Sequence, residues 1–209
     1  MKKNKKALAA ILAATFLAVA STAPSFAYSV YARTWVNNGV IKTPSLVSGT
    51  VVPILESALT FAGPKWGAVS NTCLWTGTYN TTSASMFLAS SFKFGQRDIF
   101  LEIGERAPGI TYTDPWAHTA EVVMNKRWYF ATSFDLDKVT SYTLGQADAQ
   151  TVVLHELGHA HGLDHPDINA WFNTQPDEAD TAVMTPSFVV RRALNSDDAN
   201  GIRHLYPNC

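Results

Sequence analysis

The sequence predicts a mixed α/β domain: a twisted sheet backed by two helices, then an irregular part carrying one further helix. Three observations carry that expectation. Short runs of alternating apolar and polar residues recur through the first 125 positions. Two stretches with helical apolar spacing, 48–61 and 148–160, are set among and after them. A third helical stretch, 196–205, lies near the C-terminus.

The elements follow in order. Residues 31–36 alternate well enough for a first strand before an Asn38-Gly39 turn. Residues 48–61 place Val51, Ile54, Leu55, Ala58 and Leu59 on one helix face, and Pro53 suits the first turn. Strands are expected at 74–79 and 85–94, with a stronger one at 98–103 and two more at 109–113 and 120–125. Residues 148–160 read as a helix in which Val152, Val153, Leu154 and Leu157 build an apolar stripe. In the last helix Ser196 is a good N-cap, with Asp197 and Asp198 in the first turn, where carboxylates favour the helix dipole.

The N-terminus reads as an export signal. Lys2, Lys3, Lys5 and Lys6 precede a mostly apolar run at 7–20, too short to span a bilayer comfortably. Small residues Ser25 and Ala27 place cleavage after Ala27; a cut after Ala23 would set Pro24 beside the scissile bond. Residues 1–27 are therefore expected to be a signal peptide, the mature chain being 28–209, one domain with a sizeable core. No lipobox-like cysteine follows, and no other segment could cross a membrane. The whole chain has 16 basic and 17 acidic residues. Without the leader's four lysines the mature chain has 12 against 17, formally −5, which argues against nucleic-acid or anionic-membrane partners. A secreted monomer is expected.

Two cysteines, Cys73 and Cys209, suggest one disulfide in an exported chain, the alternative being two free thiols. Closing so long a loop is worth about 4–5 kcal/mol in the chain-entropy model. Asn80-Thr81-Thr82 is a formal glycosylation sequon to which no function is assigned.

The most specific signal is His155-Glu156-Leu157-Gly158-His159-Ala160-His161-Gly162-Leu163-Asp164-His165, which reads H-E-x-x-H-x-x-G-x-x-H. On a helix, His155 and His159 are four apart and share a face, so both imidazoles can reach one ion at roughly 2.0–2.1 Å. Glu156 lies about 100° further round, suited to a general base acting on water rather than to a third ligand. The chain must turn back for His165 to close the set, and Gly162 stands where a left-handed residue ends a helix. Three histidines then leave a fourth zinc position for water. At average composition the full pattern arises by chance on the order of once in 10⁵ chains of this length, so the alternative of a helix carrying ordinary histidines is set aside. His161 points to another helix face and is expected at the surface or just behind the ligands. Asp164 is the alternative third ligand, but the offset from Gly162 selects His165.

The extended motif resembles that of the metzincin zinc endopeptidases. Such proteins carry a methionine in a tight turn beneath the metal, and Ala182-Val183-Met184-Thr185-Pro186 looks like that turn. The proline, and the resemblance of 196–206 to a final helix, favour the matrixin branch. The resemblance is strong from about 147 to 206 and rests on pattern alone upstream. It implies a metzincin/zincin-like fold with the zinc in a cleft between an N-terminal part, about 28–162, and a C-terminal part, about 163–209. It also implies cleavage of an extended polypeptide, which would pair with an edge strand near 109–113, while Thr185-Pro186-Ser187-Phe188 would shape the pocket just past the scissile bond. Two family features are missing: a cysteine-switch segment and the His/Asp-rich stretch that holds a structural zinc and calcium. His118 is read as an ordinary surface residue, and Asp177, Glu178 and Asp180 as a solvated acidic loop, which leaves calcium without support. The alternative function is a zinc-holding binding module that no longer cuts; the intact Glu156 argues against it.

Overall fold

In a computed structural model, residues 29–30, 45–47, 51–69, 80–82, 92–99, 107–114, 119–132, 145–165, 182–185 and 190–207 are described. Among them the fold is mixed α/β, with a mixed sheet and three helices. The strands are β1 (Ser29–Val30), β2 (Ser45–Val47), β3 (Asn80–Thr82), β4 (Phe92–Arg97), β5 (Gly109–Asp114), β6 (Thr119–Asn125), β7 (Tyr129–Ala131), β8 (Gln146–Asp148) and β9 (Leu163–Asp164). The helices are α1 (Pro53–Gly67), α2 (Ala149–Ala160) and α3 (Ser196–Leu205).

The principal sheet runs β3-β2-β4-β6-β5. Its first four strands are parallel, and β5 lies antiparallel on β6 at the edge, with Thr111 opposite Val122 and Gly109 opposite Met124. Strand β6 sends Ala120, Val122 and Met124 into the core, while Glu121 on the opposite face is only partly covered and pairs with Arg97 at 2.8 Å. Two small sheets complete the topology: β7 parallel to β8, and β1 antiparallel to β9.

Helices α1 and α2 pack on each other and supply much of the core. Leu55, Ala58, Leu59, Ala62 and Trp66 of α1 are fully buried, as are Val153, Leu154 and Leu157 of α2. The buried Trp66 indole also needs an acceptor, and it donates Nε1–H to Leu154 O at 2.9 Å.

Several expectations shift. Helix α1 starts at Pro53 rather than 48 and runs on to Gly67, through Pro64. Burial of Trp66 in the last turn outweighs the backbone hydrogen bond that a proline forgoes. Of the strand expected at 85–94, residues 92–94 belong to β4, which runs on to Arg97; Asp98 and Ile99 of the stretch expected at 98–103 lie beyond its end, and the rest of both stretches lies outside the described residues. Ile99 is buried without being in a strand, so its apolarity marked the core and not the ladder. The N-cap of α3 is Asn195, not Ser196: Asn195 Oδ1 accepts from Asp198 N at 3.0 Å, and Asp198 Oδ2 accepts from Asn195 N at 3.0 Å, a reciprocal capping box. The edge strand, β6 and α2 lie where expected, with Asp148 capping α2 by accepting from Thr151 N at 2.8 Å. The signal peptide, the strands at 31–36 and 74–79, and Cys73 with Cys209 lie outside the described residues.

Candidate metal centre

Helix α2 presents His155 and His159 one turn apart, and Gly162, at φ +99°, turns the chain back into β9 so that His165 arrives opposite them. The three Nε2 atoms form a nearly equilateral triangle with edges of 3.0, 3.1 and 3.1 Å. Asp164 does not join them; its Oδ1 accepts from His165 N at 2.7 Å, fixing the approach of the third ring.

The opposite ring nitrogens show what those Nε2 atoms are. His155 Nδ1 lies 2.7 Å from Val183 O, and His159 Nδ1 lies 2.8 Å from Leu163 O. A carbonyl oxygen only accepts, so both Nδ1 atoms carry the proton and both Nε2 atoms are bare lone pairs. Such lone pairs do not hydrogen-bond to one another. Their convergence fits a shared cation, and the spacing suits nitrogen ligands at roughly 2.0–2.1 Å from one ion. Burial, assisted by the neighbouring His159, holds His155 well below the usual imidazole value. Burial likewise brings His159 down to about 4 and lowers His165. All three are therefore neutral at pH 7, the state a metal needs.

Glu156 is buried against β5. Burial pushes its carboxyl up to about 7, opposed by a hydrogen bond from Thr111, whose Oγ1 lies 2.7 Å from Glu156 Oε2. The motif thus holds an acid–base group that exchanges its proton near neutrality, as general-base work requires.

Below the triad, Val183 and Met184 occupy a turn in which Thr185 N donates to Ala182 O at 3.2 Å. Asp198, at the start of α3, holds that turn: its Oδ2 accepts from Val183 N at 2.9 Å and its Oδ1 from Met184 N at 3.1 Å. Val183 O accepts from His155 and Met184 N of the same peptide unit donates to Asp198, so one peptide unit links the α3 carboxylate to an imidazole of the triad. Met184 Sδ lies against Gly158, where an added Cβ would collide with it. Sequence reading singled out neither Gly158 nor Asp198 for the site, nor Thr111.

Of the two places expected for His161, the surface or just behind the ligands, the surface is excluded: it is fully buried, because the chain stays under Trp66 and Tyr206 as α2 ends. The rings of His161 and Trp66 meet edge-on with centroids 5.7 Å apart, and Tyr206 Oη donates to His161 O at 2.8 Å. Neither ring nitrogen has a hydrogen-bond partner among the described residues. Residues 186–188, His118 and the acidic residues 177, 178 and 180 lie outside the described part.

Residues 115–207, which carry the triad and the methionine turn, match the family model of the matrixins (Peptidase_M10). The chain is matrixin-like. Among solved structures it is similar to myroilysin, at 20% identity over 87% of this chain and 99% of that one, with a TM-score of 0.45. It is also similar to high choriolytic enzyme 1, a hatching-enzyme zinc protease of the medaka fish Oryzias latipes, at 14% identity over 82% and 92%, with a TM-score of 0.44.

Proposed function

We propose that the protein is a secreted zinc endopeptidase that hydrolyses extended polypeptides, with His155, His159 and His165 as the zinc ligands and Glu156 as the general base. The observation that carries this reading is the triangle of three Nε2 atoms, two of them on rings whose Nδ1 faces a carbonyl, next to a buried carboxylate. Zinc in that position would supply Lewis acidity toward a peptide carbonyl and toward water.

The chain's own residues do the rest. Glu156 takes a proton from the attacking water on a carboxylate oxygen and passes it to the leaving amine nitrogen. Strand β5 lies at the sheet edge among the described residues, and a substrate would run beside it. Residues 185–188 would border the pocket past the scissile bond. Export rests on the leader at 1–27; among the described residues no helix is long and apolar enough to cross a membrane. The mature chain 28–209 is read as one catalytic domain, monomeric, with Cys73 and Cys209 paired.

Cleavage of casein and of a broad peptide library, with and without chelator, tests the reading. The wild type should cut and lose activity on zinc removal; Glu156→Ala should keep zinc and lose cleavage. A wild type that holds zinc and cuts nothing would instead be a non-catalytic binding module.

A further inference from the structure

We infer that Thr111 is a positioning residue for Glu156, and that Gly109 beside it keeps open the space the carboxylate occupies. The inference rests on the proposed peptidase reading and adds to it the part of the edge strand that faces inward.

Strand residues alternate between faces, so Gly109 and Thr111 share the side of β5 turned to α2. Thr111 Oγ1 lies 2.7 Å from Glu156 Oε2 and 2.9 Å from Glu156 O. One hydroxyl thus faces both the backbone and the carboxylate of the same residue, which folds the Glu156 side chain over it. The hydroxyl has a single proton, and the shorter contact, to the charged acceptor, takes it. At Gly109 an added Cβ would stand 2.9 Å from Glu156 Cγ and 3.0 Å from Oε1. Thr111 therefore holds one oxygen of the base while the bare Gly109 backbone lets the other lie close to the strand. Glu156 is buried, and its described side-chain hydrogen bond is this one, so the orientation of its carboxylate depends on β5. The same strand would dock the substrate backbone at its outer edge. Base and scissile peptide are then positioned from one rigid element, and reaction rate is steep in that geometry.

The experiment compares zinc-loaded full chain with Thr111→Val, Thr111→Ser and Gly109→Ala. Thr111→Val keeps shape and strand propensity but loses the donor. Its kcat should fall roughly tenfold or more, as for a lost hydrogen bond to a charged group, with KM within about twofold and zinc content unchanged. Thr111→Ser should recover to within about threefold of wild type. Gly109→Ala should lower kcat by displacing the carboxylate with the hydroxyl still present. A Thr111→Val enzyme with wild-type kcat, or a Thr111→Ser enzyme as slow as Thr111→Val, overturns the inference. Crystal structures of the metal-free wild type and Thr111→Val give an independent readout: the Glu156 carboxylate should leave its place under β5 in the variant, and an unmoved carboxylate overturns the inference. A wild type that holds zinc and cuts nothing refutes the peptidase reading; the crystal structures then still decide on the contact.

Discussion

Met184 Sδ occupies the space where a side chain on Gly158 would begin. Gly158 lies between the two helical ligands, so the methionine turn reaches the helix backbone midway along the site. Gly158→Ala should therefore destabilise the protein although alanine is the better helix former. Overpacking costs about 1–3 kcal/mol and the propensity gain returns up to about 1 kcal/mol. Denaturant titration of Gly158→Ala, Met184→Ala and the double variant checks this. Removing the sulfur should relieve the closest contact and leave the one with Trp66 Cζ2 at 3.0 Å, so the two changes should be non-additive. Simple additivity would show that the contact is not tight.

Asp198 should matter to metal affinity without touching metal. Its buried carboxylate accepts from Val183 N, Met184 N and Asn195 N, and the Val183 carbonyl orients the His155 ring. Asp198→Ala leaves buried donors without their acceptor and frees that ring. Zinc affinity should drop by about 10–100-fold, the usual effect of losing a group that orients a ligand. Competition with a chromophoric chelator measures it. Unchanged affinity with reduced stability would confine Asp198 to holding α3 in place.

The clustering of the three histidines was legible in the sequence because it is written in local spacing. His155 and His159 need only a helix, and His165 needs only the reversal at Gly162, whose φ of +99° few other residues adopt. Thr111, Gly109 and Asp198 were not legible: the first two act on Glu156, more than forty positions away, and Asp198 on a turn 14 and 15 positions away, and no local pattern marks such contacts. Asp98 and Ile99, the described residues of the stretch expected as a strand at 98–103, show a related limit. An apolar run marks burial, and Ile99 is buried, but the ladder to β6 ends at Arg97 opposite Asn125. The surface alternative for His161 failed because helix phase was extended past the end of α2, where Trp66 and Tyr206 cover the chain.

His161 should make the fold acid-sensitive. Burial brings its imidazole down to about 3, so between that value and the ~6.5 of an exposed histidine the unfolded chain binds the proton and the folded chain does not. Stability then rises with pH across this window and is lost as pH falls from about 6.5 toward 3. His161→Leu fills similar space and cannot titrate. The stability difference between His161→Leu and wild type, both metal-free, should grow in favour of the variant as pH falls from 7 to 4. A pH-independent difference would mean that His161 is solvated in the folded protein.

Zinc uptake should release protons from Glu156 and not from the ligands. In the metal-free protein burial holds the Glu156 carboxyl at about 7, while burial keeps the three ligand imidazoles neutral. A cation at the triad favours the carboxylate over the acid. At pH 7 the wild type should therefore release about half a proton per zinc bound, and more at pH 6, where a larger share of Glu156 starts protonated. Glu156→Gln should release markedly fewer over the same range, since its amide does not titrate. Calorimetric titration with zinc in buffers of different ionisation enthalpy counts these protons directly. Equal release from wild type and Glu156→Gln would place the titrating group among the ligands and contradict their assignment as neutral before metal arrives.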